Sequence, residues 1–230
     1  SQQLKQTVGE IIARVEAEGD AAVLGYTRKF DCPDLTNLVL SQENIDALAA
    51  KVTPEVASAI DTAFNNIKAF HEAQVPSDIA LTTTPGVKCE LRFTSLDAVG
   101  LYIPGGTAPL FSTVLMLAVP AIIAGCKEIV LCSPPNKQGE LAPEILFAAQ
   151  LCGVTKIIKV GGIQAIAGLT FGTDSIPKVY KIFGPGNQFV TVAKQLATKY
   201  GVAIDMPAGP SELLVVADDT ANASYVASDL

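Results

Sequence analysis

The chain has 230 residues, 49% of them hydrophobic and 17% charged, with a formal net charge of −7. That length supports one large or two modest buried cores, and a charged share below the usual value of roughly 25% implies that more protein covers part of the surface. The acidic balance excludes the clustered Lys and Arg with which binders of nucleic acid or anionic membranes neutralise phosphate.

The chain opens on a polar, amphipathic stretch with no apolar signal-peptide core. Leu4, Val8, Ile11 and Val15 recur at helical spacing, and Asp20 is placed to cap a second helix ending near Phe30. Thr53 followed by Pro54 predicts another helix start, because threonine can accept from an orphan amide and proline at the first turn lacks only an unneeded donor. Val56, Ile60, Phe64, Ile67 and His71 then share one face. Past Pro76 the period changes to two: Ile79, Leu81, Thr83, a Pro85-Gly86 turn, then Val87, Cys89, Leu91 and Phe93 predict an antiparallel hairpin.

From Val99 onward apolar runs alternate with helical patterns. Strands are expected at 99–103, 129–132, 157–160, 179–183, 202–205 and 213–217, and helices at 111–125, 143–152, 163–169 and 188–200. This alternation argues for an α/β fold with a mostly parallel sheet and helices on both faces. The uncharged stretch 98–126 is broken by Pro104, Gly105, Gly106 and Pro109. Its continuous apolar part would span only about 22 Å as a helix, against a hydrocarbon core of about 30 Å. It reads as a buried core helix, not a membrane span.

In such sheets ligands bind beyond the carboxyl ends of the strands. Those ends carry YIPGGT at 102–107, CSPPN at 132–136, VGGIQ at 160–164, FGPGN at 183–187 and MPAGPSE at 206–212. Glycine there permits close backbone approach to a ligand, and a following helix N-terminus favours negative charge, so these loops can cradle phosphate. Equally, Gly and Pro can simply turn the chain between strand and helix. Neither GxGxxG nor GxxxxGK[ST] is present, so an ordinary dinucleotide or P-loop site does not follow from spacing.

The acid–base inventory is small. His71 is the sole histidine and lies on an apolar helix face without a ligand-spaced partner, which favours a structural role. The five cysteines, Cys32, Cys89, Cys126, Cys132 and Cys152, form no CxxC pair and read as reduced thiols in a cytoplasmic protein. Cys126, Cys132 and Cys152 suit packing better than nucleophilic chemistry. Asp205, Ser211 and Glu212 form the most suggestive polar group, although Asp and Ser are also common turn and cap residues.

The runs VGLYIPGGTAPLFSTVLMLAVPAIIAGC, VLCSPP, AAQLCGV, VGGIQAIAGLTFGT, KIFGPGNQFVTVAK and AIDMPAGPSELLVVAD, in that order, resemble histidinol dehydrogenase over nearly the whole chain. The resemblance implies NAD-dependent oxidation of L-histidinol to L-histidine through the aldehyde, two hydride transfers with zinc assistance, by a homodimer. It implies incomplete Rossmann-like parallel sheets, which accounts for the missing GxGxxG. By motif match Tyr102, Gln164 and Asn187 are NAD contacts and Ser211 a substrate contact. The resemblance further implies a first domain over 1–101, a Rossmann-like second domain over 102–210, and a return to the first at 211–230.

The family's zinc ligands and its catalytic Glu-His pair belong to segments expected beyond Leu230, so no catalytic or metal-binding residue is assigned within this chain. On that reading the chain is a truncated front portion, inactive and without zinc by itself. The rival reading is a noncatalytic nucleotide-binding or assembly module that lacks the zinc half.

Overall fold

The computed structural model describes residues 2–106, 108–207 and 212–229. Helix α1 (Gln2–Glu18) buries Val8, Ile11, Ile12 and Val15, the stripe set by helical spacing. Helix α2 (Asp20–Phe30) follows at once, and here the expectation for Asp20 needs correction. The N-cap is Gly19, at φ 58°, and Asp20 is the first helical residue. Its carboxylate reaches outward instead, accepting from the Thr173 hydroxyl at 2.5 Å, the Ser175 hydroxyl at 2.5 Å and the Ser175 amide at 3.2 Å. Non-local donors thus take the oxygen that a local cap would have used.

Helix α3 (Gln42–Ala49) is capped by Ser41. Helix α4 (Pro54–Glu72) starts as expected, with Thr53 Oγ1 accepting from the Val56 amide. Strands β1 (Ile79–Thr84) and β2 (Val87–Leu91) form the expected hairpin, with Ile79 opposite Leu91 and Leu81 opposite Cys89. Asp78 closes its base by accepting from the Phe93 amide at 2.9 Å. Every residue of both strands is nevertheless exposed.

The five strands β3 (Ala98–Tyr102), β4 (Glu128–Ser133), β5 (Lys156–Lys159), β6 (Lys181–Phe183) and β7 (Ala203–Ile204) make one parallel sheet in the order β5-β4-β3-β6-β7. Their connections carry α5 (Phe111–Ala124), α6 (Pro143–Leu151), α7 (Gly162–Phe171) and α8 (Gln188–Ala197), the last running into a 3-10 turn at Thr198–Tyr200; a short α9 (Ala223–Asp229) comes last. The sheet is apolar on both sides, as parallel sheets must be when helices cover them. Ala98, Tyr102, Val130, Cys132, Ile158 and Ile182 meet the stripes of α1, α2, α7 and α8. Val99, Leu101, Ile129, Leu131 and Ile157 meet α3 to α6.

The central strand β3 runs from Ala98 to Tyr102, and helices from the first third of the chain lie on both faces of the sheet. The outer edge at β5 is protected by the segment around Val39, which adds a short antiparallel bridge: Leu40 donates to the Ile157 carbonyl and Lys159 to the Leu38 carbonyl. Helix α5 is core, as expected; no helix among the described residues is long and apolar enough to cross a membrane.

A second correction concerns 213–217, where a strand was expected. These residues carry no regular structure, and Leu214 and Val216 are 85% and 90% exposed. Alternating apolar residues make a strand only where another backbone edge takes up their hydrogen bonds, and among the described residues none pairs with this segment.

Candidate functional site

Numbered within the sheet, the strand order is 3-2-1-4-5, so the chain runs outward from β3 through β4 to β5 on one side, then crosses over to β6 and β7 on the other. The loops after β3 and β6 therefore diverge and open a crevice at the carboxyl edge, the place where parallel α/β sheets hold ligands. Tyr102 ends β3 and Gly184 directly follows β6. The two strand ends touch: a Cβ on Gly184, whose φ is +134°, would lie 2.1 Å from the Tyr102 carbonyl oxygen. Only glycine can stand there.

Tyr102 is buried on the α1/α7 side of the sheet. Its phenol oxygen accepts from the Gly162 amide, at the first residue of α7, at 3.0 Å. Burial pushes the phenol above its ordinary range, with the Gly162 hydrogen bond opposing that shift. The hydroxyl therefore keeps its proton at neutral pH and can donate it.

Gln164 sits in the first turn of α7 and is 1% exposed. Its side-chain oxygen lies against Gly162, whose Cβ would be only 3.0 Å away and whose φ is +63°. Among the described residues its Nε2 is buried with no hydrogen-bond partner. A buried unsatisfied amide donor costs about 1–3 kcal/mol, so this atom is set up for an acceptor from outside the chain. The structure thus brings Tyr102 and Gln164 together at the α7 N-terminus, where the dipole favours negative charge.

Asn187 is exposed and is the N-cap of α8, its Oδ1 accepting from the amides of Phe189 at 3.0 Å and Val190 at 3.1 Å. The oxygen is committed to the helix and the Nδ2 is left for other work. Ser211 and the adjoining 208–210, with Thr107, lie outside the described residues. Glu212 is exposed.

Asp205 is taken up elsewhere than in a turn. Its carboxylate accepts from the Gly184 amide at 2.8 Å and pairs with Lys194, whose Nζ also donates to the Gly184 carbonyl at 2.7 Å. Lys194 was not singled out from the sequence. The available signal was its spacing, for Val190, Lys194 and Ala197 recur on the buried face of α8.

His71 lies near the end of α4, hydrogen-bonded to Gln74 at 2.8 Å. Burial pushes the Cys152 thiol up to about 12 and raises Cys132 and Cys126 as well, the opposite of what a nucleophilic thiolate needs. Among the described residues no three His, Cys, Asp or Glu side chains are grouped to hold a metal.

A separate cleft of about 480 Å³ opens between the β3–α5 and β4–α6 loops, with Asp31, Ser133, Asn136 and Glu140 on its walls. Tyr102, Gln164 and Asn187 do not line it. The crevice at α7 and α8 is the stronger candidate, because it holds the unpartnered buried donor.

Comparison with known proteins gives the frame. The family model described as histidinol dehydrogenase matches residues 1–230. The chain is 56% identical to a histidinol dehydrogenase of Idiomarina loihiensis, over 100% of this chain and 52% of that protein. It is 53% identical to one of Escherichia coli (strain K12), also over 52% of that protein. A crystal structure of histidinol dehydrogenase from Elizabethkingia anophelis superposes with a TM-score of 0.89 at 51% identity, covering 98% of this chain and 52% of that one. The chain thus spans about half the length of the relatives it matches.

Proposed function

This chain belongs to the histidinol dehydrogenase family, and from that premise we propose that it forms the NAD-binding part of an enzyme that oxidises L-histidinol to L-histidine through the aldehyde. The observation that carries this reading is Gln164 Nε2, a buried donor at the N-terminus of α7 without a partner among the described residues. A dinucleotide supplies what the crevice lacks: acceptor oxygens for that amide, and negative charge for the α7 and α8 N-termini. NAD, when bound, accepts the hydride released at the substrate carbon. The roles of this chain's residues are to hold and orient it. Gln164 donates its amide, the Tyr102 phenol donates its retained proton, and Asn187 offers Nδ2 from a side chain already locked as a cap.

Ser211 is proposed as a substrate contact on the motif match alone. Zinc belongs to the proposed whole enzyme, but the described residues do not fit it, having no grouped ligands, and no step is assigned through it here. The 102–210 segment is proposed as the Rossmann-like domain of that whole protein, a cytoplasmic homodimer.

The reading is tested by titrating NAD into the isotope-labelled chain and following the resonances of α7 and α8. Saturable shifts at Gln164 and Asn187 are expected. Gln164→Met removes the unpaired donor at similar volume, so it should leave thermal stability level or raised while weakening NAD about tenfold, the equivalent of one lost hydrogen bond. Wild-type NAD affinity in Gln164→Met would refute the assignment.

A further inference from the structure

We infer that the Lys194–Asp205 pair is a positioning device that fixes the 184–187 loop against the end of β3 and so sets the dinucleotide-binding geometry; this rests on the NAD reading above. The pair has an unusual set of partners. Lys194 is 3% exposed, a burial that a lysine seldom reaches without a fixed counter-charge. Its ammonium donates to the carbonyl of Gly184, while Asp205 accepts from the amide of the same residue. The ion pair therefore grips both polar backbone groups of one glycine. That glycine has no Cβ because the Tyr102 carbonyl occupies the space.

Three elements meet at this point. Lys194 comes from the buried face of α8, Asp205 follows β7, and Gly184 follows β6. The β7 end also donates from the Asp205 amide to the Ile182 carbonyl. Three residues on from Gly184 is Asn187, whose oxygen starts α8. Fixing Gly184 thus fixes, through a three-residue span, both the α8 N-terminus and its spacing from Tyr102. A hydrophobic pair would fill the same volume at lower desolvation cost. It could not, however, satisfy a carbonyl and an amide together, and that is what ties the charge to this loop.

The pair touches no proposed ligand atom, so Lys194 and Asp205 are positioning residues and their test must separate geometry from folding. Lys194→Met alone leaves the part-exposed Asp205 carboxylate without its cation and the Gly184 carbonyl without its donor, and is expected to lower stability. The informative variant is the double Lys194→Met/Asp205→Asn, which removes both charges and keeps an acceptor for the Gly184 amide. Two measurements on the chain are paired: hydrogen exchange at the bonded amides of Gly184, Phe189 and Val190, which needs no cofactor, and NAD titration. With thermal midpoint held within a few degrees, exchange at the Gly184 amide should quicken at least tenfold and NAD should weaken about tenfold. Unchanged exchange in the double variant would overturn the clamp. Faster exchange with wild-type NAD affinity would overturn its role in cofactor geometry. If the wild-type chain takes no NAD, the functional proposal fails while the exchange comparison still decides the clamp.

Discussion

At the scale of single residues, the thiols and Asn187 give the sharpest expectations. Cys89 lies on the exposed hairpin, whereas Cys132 and Cys152 are buried with thiols pushed up by desolvation, Cys152 to about 12. Since the thiolate is the reactive form, iodoacetamide at neutral pH should label Cys89 within minutes and label Cys132 and Cys152 only as the chain unfolds; peptide mapping over time reads this directly. Fast labelling of Cys152 in the native state would revive a thiol mechanism. For Asn187, alanine removes the cap and the proposed NAD contact together, costing about 1 kcal/mol of stability. Asn187→Asp keeps the capping oxygen but loses Nδ2, so its thermal midpoint should hold while NAD weakens. A midpoint that falls equally in both variants would mean the oxygen is not what matters.

At the scale of elements, Asp20 joins α2 to the loop beyond α7. Burial pushes its carboxyl up, but hydrogen bonds from Ser175 and Thr173 outweigh that and hold it below the usual range. A depressed folded-state value contributes stability that is present above the unfolded value of about 3.9 and lost as pH falls through the folded one. Asp20→Ala should therefore destabilise by about 1 kcal/mol at neutral pH, and the gap from wild type should close below about pH 4. Urea melts at several pH values check it; a gap that persists in acid would assign the effect to packing. The loops after β4 and β5 are coupled sterically: a Cβ on Gly161 would lie 2.6 Å from Pro134 Cβ, in a ring that cannot rotate away. Gly161→Ala should cost about 1–3 kcal/mol, whereas the same change at Gly9, with open space around it, should be neutral or slightly stabilising as a helix-interior replacement.

At the scale of the whole molecule, the hairpin is amphipathic, and its apolar side is left exposed among the described residues. Ile79, Leu81, Cys89 and Leu91 share one face by register, yet each is exposed, and Leu214 and Val216 add further bare apolar surface. Contiguous apolar surface of this kind is uncommon on a monomer. The chain should bind a hydrophobic dye in its native state and associate at high concentration. Ile79→Lys with Leu91→Lys should reduce both without lowering the thermal midpoint, because neither side chain is buried. Dye fluorescence and sedimentation velocity measure this, and a collapse of the fold instead would mean that the hairpin supports the core.

Periodicity and turn chemistry alone determined the helical opening, the Thr53 cap, the hairpin with its Pro85-Gly86 turn and the strand–helix alternation, because each depends on neighbours within a few residues. They also marked Tyr102, Gln164 and Asn187 as strand-end residues. The tertiary structure decided what needed partners far along the chain. It paired β3 with both β4 and β6 to open the crevice. Asp20 was drawn from an expected cap to Thr173 and Ser175, 153 and 155 residues away. Asp205 was joined to Lys194 on the single glycine between the strand ends, and 213–217 was left without a ladder. Local spacing reports which face of an element is apolar, but a buried charge or an edge hydrogen bond is assigned only when the sheet brings its partner within reach.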